Sequence, residues 1–246
     1  MADYLEGRHA VSEAFAAGVP LASIMIAAGL KPDKAIDAIR RKAAGAGVPV
    51  REVKRSELDE LSAHGAHQGI MAVAKPYRYA SLEDLIKAAA GQKDALIIAC
   101  DHVTDTGNLG AIARSAEVVG ATGLLIPNKR AAAVTAVTYK ASAGAISHLP
   151  IAREANLVTC LERLKKEGFW VMGASEKASQ DIWHAPLEGR IVLVMGSEGE
   201  GLSRLVQETC DLLVALPQAG RIGSLNVAQA TTAIAYEWMR RCRTQG

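Results

Sequence analysis

Short aliphatic runs recur along the C-terminal three-fifths of the chain without the alternation of apolar and polar residues that marks a half-exposed strand. The runs cover residues 95–99, 123–126, 170–173, 191–195 and 212–216. Continuous apolar runs of this length predict strands buried on both faces. Helix-favouring stretches lie between or after them, at residues 109–119, 134–143, 157–167, 202–208 and 227–240. Strands that alternate with helices predict an α/β fold with a mostly parallel sheet covered on both sides.

A smaller set of elements precedes residue 76. The pattern predicts helices over residues 9–17 and 33–44 and strands over residues 22–27, 49–53 and 70–74. Pro76 interrupts regular structure because the residue before a proline disfavours the helical conformation. We therefore predict a small α/β domain at residues 1–75, a linker at 76–93 and a second domain at 94–246. Within the linker, residues 81–90 favour a helix that Ser81 caps.

The composition is typical of a globular protein, with 50% hydrophobic and 22% charged residues, and the net charge is only +2. This charge excludes a strongly basic nucleic-acid binder, so any affinity for nucleic acid must come from local patches. One such patch spans residues 31–55, which hold eight basic and three acidic side chains. A solvated helix face is the alternative interpretation. The candidate RNA-binding residues of the patch are Lys31, Lys34, Arg40, Arg41 and Lys42.

Several features narrow the class of protein further. The 4 cysteines form no CxxC pair, which predicts no disulfide framework and fits a reducing cytosol. The charged N-terminal segment predicts no signal peptide, and no apolar run approaches the roughly 20 residues of a membrane span. His64 and His67 lie three residues apart without cysteines or carboxylates clustered nearby, which favours ordinary loop histidines over a zinc site. We expect a cytoplasmic protein that uses no metal ion.

Polar, glycine-containing segments follow three of the predicted strands, at the sheet edge where ligands bind in parallel α/β folds. The first, residues 101–110, brings Asn108 to a helix start, where its amide can cap the helix or contact a substrate. Arg114 follows about one turn further along. The third, residues 216–227, joins the last strand to the last helix; Ser224 can cap that helix, and Asn226 then falls in its first turn. Simple structural turns are the alternative interpretation of both segments.

The second segment, residues 195–202, holds three glycines and two carboxylates. It lacks the G-x-G-x-x-G order of a dinucleotide fingerprint, and Glu198 and Glu200 would repel a pyrophosphate. These features argue against a nucleotide-dependent oxidoreductase. A positively charged sulfonium, or a ligand with hydroxyl and amine donors, suits the segment better, and a flexible acidic turn without a ligand is the alternative.

The amino-acid sequences of the three segments resemble the three motifs of the SpoU/TrmH class of SPOUT RNA methyltransferases. The matching stretches are DHVTDTGNLGAIARSAEVVGATGLLIP, IVLVMGSEGEGLSRLV and LPQAGRIGSLNVAQATTAIAYEW, and the resemblance runs over residues 94–246. Near the start, EGRHAVSEAF and HQGIMAVAK resemble a small ribosomal-protein-like RNA-binding domain. That domain precedes the catalytic domain in a subgroup of this class that methylates a guanosine ribose of 23S rRNA.

The resemblance implies a deep trefoil knot in the C-terminal domain and S-adenosylmethionine as the methyl donor, bound without a metal. The residues it assigns to cofactor binding are Gly196, Leu216, Ile222 and Leu225. It also implies a homodimer in which the final helix contributes to the interface. We expect no DNA and no membrane partner. A tRNA 2′-O-ribose methyltransferase and a non-catalytic RNA-binding protein of the same fold are the alternative functions.

The reaction implied is attack of an RNA ribose 2′-hydroxyl on the methyl group of the sulfonium. The residues that the resemblance assigns to this step are Asn108, Arg114, Glu198, Ser224 and Asn226. Arg114 has two open roles, because a guanidinium normally stays protonated. It either takes the hydroxyl proton, or it clamps a substrate phosphate and stabilises the developing alkoxide.

Overall fold

The computed structural model describes residues 3–63, 65–221 and 223–244, and the chain divides into two compact units, Met1–Arg78 and Tyr79–Gly246. Ile222, one of the predicted cofactor contacts, lies outside the described residues, as does His64. No helix in the described ranges is long and apolar enough to span a membrane.

A four-stranded sheet with helices packed on it forms the N-terminal unit. The elements are β1 (Asp3–Glu6), α1 (Arg8–Ala16), β2 (Leu21–Ala27), α2 (Lys34–Gly45), β3 (Val50–Val53), α3 (Arg55–Leu61) and β4 (Ile70–Ala74). The strand order is β1-β4-β2-β3, with β4 antiparallel to both neighbours and β2 parallel to β3. Asp33 caps α2 by accepting hydrogen bonds from the backbone N–H groups of Ala35 and Ile36 (2.8 and 3.1 Å). The helix buries Ile36, Ile39 and Ala43, so its basic residues lie on other faces.

A seven-stranded sheet, in which every described pairing is parallel, forms the C-terminal unit. Its strands are β5 (Ala95–Cys100), β6 (Gly123–Pro127), β7 (Ile151–Glu154), β8 (Trp170–Ala174), β9 (Gln180–Asp181), β10 (Arg190–Met195) and β11 (Leu212–Ala215). Its helices are α4 (Leu82–Ala88), α5 (Thr106–Val118), α6 (Ala136–Ser142), α7 (Leu157–Lys166), α8 (Arg204–Thr209) and α9 (Val227–Thr244). The predicted fold class, α/β with a parallel sheet, is therefore confirmed. The trefoil knot stays a prediction.

The strand order β7-β6-β5-β10-β8-β11-β9 explains why the functional segments converge. β10 lies between β5 and β8, where its neighbours bury it, and β11 pairs with the far side of β8. Because all these strands run in one direction, the loops that leave β5, β8, β10 and β11 emerge at one edge of the sheet. The sequence predicts buried strands here, and β5 is buried along its whole length.

The segment before β5 packs onto the C-terminal sheet. The Ala80 N–H donates to the Ile151 carbonyl at 2.8 Å, and the Glu154 carboxylate accepts from the Leu82 N–H at 2.8 Å. Ser81 and Asp84 form the capping box that starts α4, as predicted for Ser81. The boundary between the two compact units lies between residues 78 and 79.

The hydrophobic pattern of the sequence does not predict four of these elements, namely β1, α3, β7 and β9. β9 has 2 residues, too few for any periodicity. β7 ends in Arg153 and Glu154, whose charges interrupt the apolar run of a buried strand. α3 buries only Leu58, so its sequence carries no apolar stripe. These elements form through tertiary pairing and packing, which a local pattern does not report.

Candidate functional site

A cleft of about 510 Å³ opens at the carboxyl edge of the C-terminal sheet. Its wall is built from the loops that follow β8, β10 and β11 and from the first turns of α9. The lining residues are Ala174, Ser175, Glu176, Lys177, Met195, Gly196, Ser197, Glu198, Gly199, Glu200, Gly201, Leu202, Gln207, Val214, Leu216, Gln218, Ser224, Leu225, Asn226, Val227, Ala230 and Ile234. This volume lies within the roughly 300–1,000 Å³ typical of small-molecule sites.

Two amides and one carboxylate form a hydrogen-bonded cluster at this cleft. Glu198 Oε1 accepts from Asn226 Nδ2 at 2.7 Å and from Asn108 Nδ2 at 3.1 Å. Asn226 Nδ2 also donates to Asn108 Oδ1 at 2.9 Å. The cluster joins the first, second and third predicted segments. No described residue donates to the second oxygen of Glu198, which leaves that oxygen available to a ligand.

A tight hairpin presents Glu198 to the cleft. Ser197 and Gly201 exchange two backbone hydrogen bonds of 3.0 Å, and Gly199 adopts a φ of +92°. Gly196 lies beneath this turn, where a Cβ would come within 2.2 Å of the carbonyl carbon of Gly201. Residue 196 must therefore be glycine for the hairpin to fold back in this way.

Asn226 serves two purposes at once. Its Oδ1 accepts from the backbone N–H groups of Ala228 (2.9 Å) and Gln229 (3.4 Å), so Asn226 caps α9 while its Nδ2 binds Glu198. The prediction that Ser224 caps this helix is wrong, because the helix begins at Val227 and Asn226 stands directly before it. Ser224 instead lines the cleft.

The Asn108 amide is likewise free to reach the cluster. Asp105 caps α5 through a hydrogen bond from the Asn108 backbone N–H (2.6 Å), which leaves the Asn108 side chain for Glu198. Of the two sequence-based interpretations of Asn108, the structure thus excludes capping by its amide.

Cys100, at the end of the preceding strand, is fully buried, and burial raises the pKa of its thiol to about 12. It packs as a small, neutral, buried group.

Two family models match this chain over most of its length. The model of the SpoU rRNA Methylase family matches residues 95–236, more than half of the chain. The chain belongs to this SpoU family. A second model, for RNA 2′-O ribose methyltransferase substrate binding, matches residues 4–80.

Relatives and solved structures agree with this membership. A tRNA/rRNA methyltransferase of Mycobacterium ulcerans, itself uncharacterized, is 41% identical over 238 residues, which cover 97% of this chain and 77% of the relative. The SpoU methyltransferase AviRb from Streptomyces viridochromogenes, solved with AdoMet, aligns with a TM-score of 0.70 at 25% identity, covering 99% of this chain and 91% of AviRb. An AdoMet-bound rRNA methyltransferase from Sinorhizobium meliloti aligns with a TM-score of 0.65 at 25% identity, covering 98% and 87%. The chain is an RNA methyltransferase of the SpoU class.

Three of the four predicted cofactor residues of this SpoU methyltransferase, Gly196, Leu216 and Leu225, line the cleft. Leu225 exposes 50% of its surface although it is apolar, so it can make an apolar contact with a ligand. The charge of the cleft is mostly acidic, from Glu176, Glu198 and Glu200 against Lys177. A cationic ligand is favoured over an anionic one by this balance.

Arg114 does not join the cluster within one chain. It lies on α5 six residues after Asn108, and at about 3.6 residues per turn the two side chains point in directions roughly 120° apart around the helix. Its side chain is exposed, and none of the residues in the described ranges accepts a hydrogen bond from it. The structure thus brings together Asn108, Glu198 and Asn226 and leaves Arg114 apart from them.

Sequence reasoning misses two contributors to the site. The last residue of β8 and the three that follow it, Ala174 to Lys177, form one wall of the cleft. Their position at the carboxyl end of a predicted buried strand is the signal that could have found them. Asp101, which is 1% exposed, bonds to Ser203, the residue before α8; it opens the first matching stretch, but the sequence analysis assigns it no role.

The predicted RNA-binding residues lie on or near α2 in the N-terminal unit. Lys31, Lys34 and Arg41 are exposed, and no ion pair forms at them in the described ranges. Arg40 pairs with Glu52 at 2.8 Å, and the Lys42 ammonium lies 3.5 Å from the hydroxyl of Ser12.

Both ring nitrogens of His67 are engaged by protein groups, the Asp59 carboxylate at 2.9 Å and the Gly69 N–H at 3.0 Å. His67 therefore fixes its own loop and is not positioned as a metal ligand. Among the residues that the structure covers, no three His, Cys, Asp or Glu side chains group together as a metal site would require.

Proposed function

We propose that this chain transfers the methyl group of S-adenosylmethionine to a ribose 2′-hydroxyl of RNA, with a guanosine of 23S rRNA as the substrate. The observation that carries the proposal is the Asn108–Glu198–Asn226 cluster at the rim of the cleft. An oriented carboxylate with one open oxygen is what a hydroxyl nucleophile needs for alignment.

The cleft fits the cofactor in size and in charge. Gly196, Leu216 and Leu225 would hold it through backbone groups and apolar contact. Ile222, which lies outside the described residues, stays a predicted contact. The carboxylates of Glu176 and Glu200 favour a ligand that carries a sulfonium and an ammonium. When bound, S-adenosylmethionine supplies a methyl group on a good, neutral leaving group. No metal is needed for this transfer.

The chain's residues act on the ribose. In the transfer, the 2′-oxygen would attack the methyl carbon, the sulfur would leave with the electrons of the carbon–sulfur bond, and the hydroxyl proton would pass to a nearby phosphate or water. Glu198 accepts a hydrogen bond from the 2′-hydroxyl through its open oxygen, while Asn108 and Asn226 hold its other oxygen. Ser224, exposed on the loop that also carries Asn226, contacts the substrate or the cofactor. Glu198 thus orients the nucleophile at the methyl group.

Arg114 enters the site from a second copy of the chain. Its exposed position on α5, turned away from Asn108, supports a role across the interface of a homodimer. There it binds a substrate phosphate and stabilises the alkoxide that develops at the ribose. Mixing inactive Arg114→Ala and Glu198→Gln subunits tests this arrangement. We expect methyl-transfer activity to be restored, since a mixed dimer holds one site with Glu198 from one subunit and Arg114 from the other. If activity is not restored, either both residues act within one subunit or the chain does not form this dimer.

The N-terminal unit binds the RNA, in line with its match to the substrate-binding model at residues 4–80. Its exposed cations Lys31, Lys34 and Arg41 supply contacts to phosphates, with Arg40 and Lys42 beside them. Phosphate contacts place the substrate without reading its sequence, so the choice of nucleotide belongs to the cleft.

The decisive experiment is a map of 2′-O-methyl marks in rRNA and tRNA from cells that lack this gene. We expect one guanosine mark to vanish from 23S rRNA and to return with the wild-type gene but not with Glu198→Gln. Loss of a tRNA mark would replace the rRNA assignment. Unchanged marks, together with no S-adenosylmethionine binding by calorimetry, would favour a non-catalytic RNA-binding protein.

A further inference from the structure

We infer that Asp101 is a positioning residue for Glu198, an inference that rests on the proposed function of the cluster. Asp101 follows β5 directly and is 1% exposed. Its Oδ2 accepts from the backbone N–H of Ser203 at 2.6 Å, and its Oδ1 accepts from His102 Nδ1 at 2.6 Å. Its own N–H donates to the Met195 carbonyl at 2.7 Å.

These bonds hold both ends of the segment that carries Glu198. Met195 is the last residue of β10, and Ser203 is the residue before α8, so residues 196–202 lie between the two attachment points. A single residue, directly after the neighbouring strand β5, therefore fixes the entry and the exit of the hairpin. Asp101 reaches the first through its backbone and the second through its side chain.

The hairpin needs such an attachment because its own backbone is permissive. Gly196, Gly199 and Gly201 all lie within it, and glycine gives the chain conformational freedom that must be removed by contacts from outside. Glu198 is itself exposed, so packing does not fix its carboxylate. Its position depends on the hairpin, and the hairpin depends on Asp101.

The burial of Asp101 also calls for an explanation beyond stability. A buried carboxylate is costly unless hydrogen bonds compensate it. In the described ranges no lysine or arginine pairs with Asp101; its compensation comes from one backbone N–H and one histidine. Ser203 is the N-cap residue of α8, and Asp101 binds its backbone N–H, the group that a carboxylate at the third helical position binds in a capping box.

A double-mutant cycle between Asp101→Asn and Glu198→Gln tests the inference. Asparagine keeps the shape of the side chain but weakens the bond to Ser203. Because Asp101 acts through Glu198, we expect Asp101→Asn to lower kcat on the order of tenfold in the wild-type background and less than twofold in the Glu198→Gln background. Equal losses in both backgrounds would overturn the inference.

Asp211→Asn is the matched control. Its carboxylate accepts from the Val171 N–H at 2.9 Å and pairs with Lys165 at 2.7 Å, at the opposite edge of the same sheet. It resembles Asp101 in chemistry but is remote from the hairpin. We expect any effect of Asp211→Asn on kcat to be the same in both backgrounds.

A second variant removes the bond from the other side. Ser203→Pro deletes the backbone donor, and the φ of −63° at Ser203 is one that proline adopts. It should reproduce the pattern of Asp101→Asn in the cycle. If Asp101→Asn lowers kcat only in the wild-type background while Ser203→Pro leaves kcat unchanged, the bond between the two residues is not the cause.

Amide hydrogen exchange separates this inference from the proposed function. Without any substrate, Asp101→Asn should speed exchange at residues 196–203 at least tenfold, whereas Asp211→Asn should not. Faster exchange in a protein that methylates no RNA would sink the proposed function and keep the attachment. Unchanged exchange would sink the inference, whatever the activity.

Discussion

Asn226 and Glu198 are joined by a hydrogen bond of 2.7 Å from Nδ2 to Oε1, while the oxygen of the same amide caps α9. One side chain thereby couples the start of the last helix to the carboxylate of the second loop. The cap sets the direction of the amide, and the amide sets the position of the carboxylate. Local structure and candidate chemistry are thus linked in a single residue.

The two purposes of Asn226 can be separated by substitution. Asn226→Ser keeps a capping oxygen but removes the Nδ2 donor, whereas Asn226→Ala removes both. We expect the free energy of unfolding of the serine variant to lie within about 0.5 kcal/mol of the wild-type value, and that of the alanine variant to be about 1 kcal/mol lower. Both should lose methyl-transfer activity by at least tenfold. Urea unfolding and a methylation assay measure the two effects, and full activity in the serine variant would show that the donor is not needed.

Glu198 can be compared with its neighbour Glu200 on the same hairpin. Both carboxylates line the cleft, but only Glu198 bonds to the two amides. Glu198→Gln should lower kcat on the order of 10²-fold, the usual size of a lost positioned catalytic group. Glu200→Gln should cost no more than a few-fold. Equal losses from both variants would mean that the total charge of the cleft matters and the contact with the amides does not.

The sequence predicts the layered α/β architecture well because strands of a buried parallel sheet have continuous apolar sequences. It locates the loops of the site too, since these must follow such strands. It does not predict the contacts between loops, because Asn108 and Asn226 lie 118 residues apart and meet only through the strand order. The misplaced cap at Ser224 has a local cause, since Ser and Asn are about equally good caps and both stand shortly before the predicted start of the helix at residue 227.

The contacts of Asp101 are likewise not predicted from the sequence. Its neighbours in sequence give no reason to expect a buried carboxylate, and its partners Met195 and Ser203 come from distant segments. Arg114 shows the reverse case. The motif predicts it in the site, but helix geometry turns it away from Asn108, and only the proposed second subunit would supply it.

The close approach beneath the hairpin predicts a specific sensitivity at Gly196. A Cβ there would meet the backbone of Gly201 and Leu202 at 2.2 to 2.5 Å, so the hairpin of Gly196→Ala must move. We expect a loss of about 1–3 kcal/mol in the free energy of unfolding, as for other overpacked sites. Binding of S-adenosylmethionine should weaken at least tenfold. Gly220→Ala is the control, because open space surrounds that position, and calorimetry should find its binding unchanged.

The basic face of α2 makes a prediction about salt. Lys34 and Arg41 are exposed without partners in the described ranges, so both are free to bind phosphates. The variant Lys34→Ala with Arg41→Ala should bind substrate RNA more weakly. It should also lower the slope of log affinity against log salt by about 0.7–0.9 for each lost contact. The control is Lys93→Ala with Lys166→Ala, which removes the same charge from exposed sites in the C-terminal unit. An unchanged slope in the first variant would leave the solvated helix face as the right interpretation.

The last helix carries an ion-pair network with a defined pH dependence. Hydrogen bonds from Arg240, and then from Arg241, hold the pKa of Glu237 at about 2, below its ordinary value of 4.5. Because the folded-state pKa is the lower one, the carboxylate stabilises the fold above about pH 4.5 and loses this effect as the pH falls toward 2. Glu237→Gln should therefore be less stable than the wild type at pH 7, and its urea midpoint should fall less steeply between pH 4.5 and 2. Glu208→Gln removes an exposed carboxylate that pairs with Arg204 at 3.2 Å, and it should keep the wild-type slope. If Glu237→Gln keeps that slope as well, the acid sensitivity of the fold arises elsewhere.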